Sequence, residues 1–128
     1  MNLKILVIGD NHFTTSNIEE TQKFIIKIKD LVLTSNLDFI VVLGDILHEH
    51  ERIHTLPLNK AYEFLDELRK LVLTFVLVGN HDMINHRQFM TENHWMNGLK
   101  KWENIVIVDK AISYRIKEHL FCFCPYVP

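Results

Sequence analysis

The amino-acid sequence predicts an α/β fold built on mainly parallel strands, and three observations carry the prediction. Three of the four glycines close short, branched apolar runs: Leu3–Ile8 before Gly9, Phe39–Leu43 before Gly44 and Phe75–Val78 before Gly79. Each of the three is followed at once by Asp or Asn, a turn signal at the end of a buried strand. They stand about 35 residues apart, close to the length of a β-α-β unit, and the intervening stretches carry apolar residues at helical spacing. The intervening sequences are not alike, so the even spacing is not a solenoid repeat.

The elements follow in order. The first strand, Leu3 to Ile8, feeds a loop from Gly9 to Asn17. A helix is predicted over Ile18–Leu33, with Asn17 as N-cap, Glu20 in the capping-box position and Phe24, Ile25, Ile28, Leu31 and Val32 as its inward stripe. Asp38 to Leu43 is the second strand, and Pro57 suits the first turn of the helix that buries Leu58, Ala61, Tyr62, Leu65 and Leu68. Residues 71 to 78 form the third strand. From His86 to Trp102 one or two short helices are expected, interrupted at Gly98. Arg87, Trp95, Lys100, Lys101 and Trp102 read there as an amphipathic face with aromatic core anchors. A base-stacking surface is the competing reading. Ile105–Val108 is a fourth strand, and Ile112–Ile116 with Leu120–Cys124 forms a hairpin across Lys117-Glu118-His119.

At 128 residues with 48% hydrophobic content, the chain suffices for one domain with a modest core. No apolar stretch approaches the roughly 20 residues of a membrane span. The N-terminus enters a strand without a signal-peptide region, which sets a cytoplasmic expectation. A formal charge of −2 creates no basic field that would by itself attract nucleic acid. Cys122 and Cys124 fall on one face of a strand that has both faces covered, and read as buried, unpaired thiols.

Parallel strands joined by helices bring their C-terminal ends to one edge. The corners Gly9-Asp10-Asn11-His12, Gly44-Asp45-Ile46-Leu47-His48 and Gly79-Asn80-His81-Asp82 would therefore gather carboxylate, amide and imidazole ligands for divalent ions. Asp-x-His, Gly-Asp-x-x-His and Gly-Asn-His-Asp in this order resemble the calcineurin-like metallophosphoesterase superfamily. The resemblance covers most of residues 3 to 82. It implies the N-terminal half of an α/β/β/α sandwich, mainly parallel strands with flanking helices and a C-terminal hairpin. The chain ends in Pro125-Tyr126-Val127-Pro128, similar to the middle of such a domain, and carries no Gly-His-x-His turn. One metallophosphoesterase domain over residues 1–128, truncated at its C-terminus, is the expectation. Its open sheet edge would favour self-association.

By the same resemblance, two divalent ions are implied: manganese, with iron or zinc as alternatives. Asp10 and His12 would complete the first metal's protein shell, Asp45 would bridge, and Asn80 would bind the second ion through its amide oxygen. His81 would serve the leaving-group oxygen as the catalytic imidazole. His48, three residues after the bridging Asp, resembles the SbcD-type nuclease branch. Protein phosphatases place an Asp at that position. The implied activity is hydrolysis of phosphate esters by a metal-activated water, on a phosphodiester or nucleic-acid substrate, with this chain alone inactive. A phosphomonoesterase or protein phosphatase, and a non-catalytic scaffold of the same fold, are the alternatives. Asp82 reads as a structural partner of its turn, and His50, His54, His86, His94 and His119 as solvated residues.

Overall fold

A computed structural model of the chain describes residues 2–9 and 11–128. Asp10 therefore lies outside the described residues. Four parallel strands, β1 (Ile5–Ile8), β2 (Phe39–Val42), β3 (Thr74–Leu77) and β4 (Ile105–Val108), form one sheet in sequence order. The register places Val7 beside Val41, Val42 beside Val76 and Val76 beside Ile107. The β-branched side chains that suit a pleated surface fill the centre: every residue of β2 is buried.

Two helices, α1 (Ile18–Ser35) and α2 (Thr55–Leu71), connect the first three strands. They share one core with the inward residues of the sheet, including Ile25, Val32, Phe64, Leu65 and Leu68. The antiparallel hairpin β5 (Ile112–Ile116) and β6 (His119–Phe123) covers the other face through Phe123, against Phe39, Val41, Phe75 and Val108. Its turn puts Lys117 and Glu118 at φ 47° and 70°, and the Lys117 ammonium reaches Asp38 Oδ1 at the foot of β2 at 2.5 Å. The Lys117 bond, then the backbone N–H of Lys4, hold the Asp38 carboxyl below its usual range.

Several local expectations are corrected. Asn17 makes no cap bond to α1. Its side chain instead takes the N–H of Thr14 at 2.8 Å and donates to the His12 carbonyl at 3.2 Å, bracing the loop after β1. Leu31 points outward at 45% exposure, while Phe64, unremarked in the second helix, is buried. The third strand starts at Thr74, because α2 runs on to Leu71. Between 86 and 102 the only regular element among the described residues is one 3₁₀ helix, Asn97–Lys101, with Gly98 inside it. The polar side chains around it explain why: Asn85 and Thr91 bond backbone N–H groups two residues on, and Asn93 bonds Gln88, all in competition with a helical ladder. Trp95 and Trp102 do anchor on the core, and Arg69 lies 4.7 Å over the Trp102 ring. Cys122 and Cys124 are exposed, not buried, because only the Phe121/Phe123 face of β6 meets the sheet.

Candidate active site

The C-terminal ends of β1, β2 and β3 do meet, and the loops beyond them extend the strand pairing. His12 N–H donates to the Asp45 carbonyl at 2.8 Å and Phe13 N–H to the Ile46 carbonyl. His48 N–H returns to the Phe13 carbonyl at 3.3 Å. His12 and Asp45 both sit at positive φ, 47° and 52°, and Gly44 at 99°. Non-glycine residues in this region carry strain that concentrates at functional sites.

The second and third corners are packed backbone to backbone. A Cβ on Gly44 would lie 2.6 Å from the Gly79 nitrogen, and one on Gly79 would lie 2.5 Å from the Asp45 nitrogen and collide with Asp45 Oδ1. Glycine is the residue that permits this approach. Asp82, 1% exposed, clamps it: Oδ2 accepts N–H bonds from Asp45 at 2.7 Å and Gly79 at 2.9 Å, and Oδ1 accepts the Trp95 indole N–H at 2.9 Å. Burial pushes the Asp82 carboxyl up to about 6, against the pull of these three donors. Its geometry is that of a structural partner.

Around this clamp stand the remaining candidates. Asp45 Oδ1 accepts the His81 N–H at 2.7 Å, and its Oδ2 lies 3.9 Å from His12 Nε2. That gap is too long for a hydrogen bond. Asn80 Oδ1 is buried with no hydrogen-bond partner. An unpaired buried amide oxygen is costly in a folded protein, and a cation would satisfy it. Nitrogens of His12, His48 and His81 lie within 4.8 Å of one another, so these three imidazoles could also hold a metal ion. His12 Nδ1 is 3.3 Å from His48 Nδ1. His81 Nδ1 faces the His48 carbonyl at 2.7 Å, which assigns the Nδ1 proton and leaves Nε2 as the other atom of that ring. The donor set of His12, Asp45 and Asn80, with a carboxylate, an imidazole and an unsatisfied amide oxygen, fits a divalent ion.

Some site residues were not expected. His50, read as solvated, is half-buried, with its ring 5.1 Å from that of His81 and 4.2 Å from that of His86. Among the histidines read as solvated, His94 is the plain correction: its side chain has no exposure, and its Nε2 lies 3.0 Å from Asp109 Oδ2. Burial holds the His94 imidazole below its usual range, so the neutral ring donates to the carboxylate. Burial pushes Asp109 up, but Lys100 at 2.6 Å and His94 outweigh it and keep that carboxyl low. Asp109 stands just past β4, so the fourth strand adds its own charged cluster at the same edge. A lone Asp after an apolar run was the only sequence signal for it. His54 and His119 are exposed, as expected.

A family model for calcineurin-like phosphoesterases matches residues 3–123. The chain belongs to that family. It is 50% identical over 127 residues to a protein of Invertebrate iridescent virus 6 designated phosphoesterase 244L, and covers 45% of that protein. It is 46% identical over 126 residues to the protein designated phosphoesterase 078R of Invertebrate iridescent virus 3, covering 36% of it. The chain thus spans less than half the length of these two viral relatives. In fold it is similar to the crystal structure of the Pseudomonas putida nuclease MPE, with a TM-score of 0.56 and 18% identity over 88% of this chain and 50% of that one. The parallel sheet, flanking helices and hairpin are thus those of a metallophosphoesterase fold. Among the described residues no helix is long and apolar enough to cross a membrane.

Proposed function

We propose that this chain contributes the strand-end metal ligands of a hydrolase that cleaves phosphodiesters, with nucleic acid as the substrate class. The observation that carries the reading is the buried, unpartnered Oδ1 of Asn80, beside Asp45 and the His12/His48/His81 group. Asp10, His12, Asp45 and Asn80 would hold two divalent ions, manganese by preference. When bound, such ions supply a nucleophilic water at neutral pH and positive charge for the phosphoryl oxygens. Asp45, with its Oδ1 fixed by the His81 N–H, would be the ligand common to both ions. His81 keeps its Nδ1 proton on the His48 carbonyl, so Nε2 is the atom left to face the leaving oxygen, and it donates there when the ring is the doubly protonated imidazolium. His48 has two parts in this: its carbonyl fixes the tautomer of His81, and its ring lies 5.0 Å from the His81 ring at 16°. Diester over monoester follows from His48 at the third place after Asp45, and a nuclease shares the fold.

The domain continues beyond these 128 residues in this reading. Asp45 and Asn80 alone underligate the second ion, so this chain binds one ion more tightly than two and turns over little substrate by itself. Exposed Ile5 and Val7 on the edge strand β1, with exposed Leu43 just past β2, favour self-association, which sedimentation would detect. Manganese titration by calorimetry, with Asp45→Ala and Asn80→Ala, tests the site. Both variants lose heat of binding if the ligands are as assigned. A native protein that binds no manganese, or variants that bind it unchanged, would establish a scaffold instead. Bis-p-nitrophenyl phosphate against the monoester, in a chain of the relatives' length, separates diesterase from monoesterase.

A further inference from the structure

We propose that His50 is a positioning residue for His81, acting as one wall of an imidazole stack. The inference rests on the reading of His81 as the group that meets the leaving oxygen. His81 is held at one atom by its Nδ1–H bond to the His48 carbonyl, and a single bond at the ring's edge leaves the plane free to rock. Two nearly parallel rings lie against that ring. The His48 ring centre is 5.0 Å away at 16°, and the His50 ring centre is 5.1 Å away at 19°. These are offset-stacking distances.

His50 is itself keyed in place. Its Nδ1–H donates to the Met83 carbonyl at 2.9 Å, which sets the plane of the ring, and the His86 ring lies edge-on to it at 4.2 Å and 69°. The arrangement leaves His50 Nε2 buried with no partner. An aliphatic side chain would fill the same space without an unpaired nitrogen, so packing alone gives no reason to bury an imidazole here. Facing His81 with a flat ring whose orientation is set by Met83 does give one. A small misplacement of a reacting group costs rate steeply, and a ring stacked on two others keeps Nε2 aimed.

The test uses nitrogen and carbon NMR of the imidazoles in the 128-residue chain at one pH at which they are neutral. It compares the native protein with His50→Leu and His50→Phe. In the native protein His81 shows a single Nδ1–H tautomer and ring protons displaced upfield by its neighbours. His50→Leu is expected to abolish part of that displacement and mix the tautomers, while the amide spectrum away from the site and the Tm stay close to native. His50→Phe restores a flat wall and recovers most of the displacement. If His81 signals in His50→Leu match the native ones, or if both variants shift them equally, the proposal is overturned. Should His50→Leu fail to fold, native against His50→Phe decides it: retained His81 signals support the stack, and lost ones defeat it. Failure of the phosphoesterase reading would show in metal binding and turnover and leave these resonances unmoved, so the two failures are distinguishable.

Discussion

Replacing each glycine by alanine, one at a time, should give stability changes of different sign, because the same methyl meets four different surroundings. At Gly98 a Cβ would have nothing within 4 Å, so Gly98→Ala acts mainly by restricting the unfolded chain and should stabilise by about 0.4–1 kcal/mol. At Gly9 the nearest atom is Leu43 Cδ1 at 3.3 Å, on a half-exposed side chain that can yield, so the change should stay within about 0.5 kcal/mol of native. At Gly79 the methyl meets the Asp45 nitrogen at 2.5 Å and Asp45 Cγ at 3.0 Å. Asp45 cannot retreat cheaply, because its N–H is held by Asp82 and its carboxylate by the His81 N–H. Overpacking of that kind costs about 1–3 kcal/mol. Gly44→Ala combines a backbone clash with a φ of 99°, and the left-handed strain of roughly 1–2 kcal/mol adds to the collision. Urea denaturation, read as ΔΔG at constant m, should rank the variants Gly98, Gly9, Gly79, Gly44 from most to least stable. Gly79→Ala should also weaken manganese binding in the protein that remains folded, since relief of the clash displaces Asp45. A Gly79→Ala protein as stable as native, or a Gly98→Ala protein less stable than Gly79→Ala, would refute the back-to-back packing of the two corners.

Three more outcomes follow from the geometry. Asp82→Ala strands three N–H donors, of which the buried Gly79 N–H alone costs about 1–3 kcal/mol, whereas Trp95→Phe strands one carboxylate oxygen, so the alanine variant should have the lower denaturation midpoint and the reverse order would contradict the clamp. Asp109 has a folded pKa below its unfolded 3.8, so its contribution to stability is present above that pH and fades as pH falls through the folded value. The stability gap between native protein and Asp109→Asn should therefore narrow only in acid below about pH 4, and a gap that opens there instead would reverse the assignment. Cys122 and Cys124 should both react with a water-soluble thiol reagent without denaturant, and reaction only after unfolding would show them to be covered.

What the linear sequence determined is what short-range physics encodes. Branched apolar runs ending in Gly-Asp or Gly-Asn specified strands and their corners, and helical spacing between them specified crossovers that make strands parallel. The meeting of His12, Asp45, Asn80 and His81 at one edge then follows from topology, since parallel strands end on the same side. What tertiary structure decided are contacts between segments distant in sequence. No pattern in residues 48–54 says that His50 will lie on His81 rather than in water, because the stack depends on a carbonyl of Met83 brought there by another loop. His94 looked solvated because the carboxylate that accepts its hydrogen bond stands 15 positions away, past a strand it does not touch in sequence. The exposure of Cys122 and Cys124 turned on which face of an alternating strand found a partner, and alternation itself is symmetric between the two. The residue types named the chemistry, and only packing decided which of them share a volume small enough to perform it.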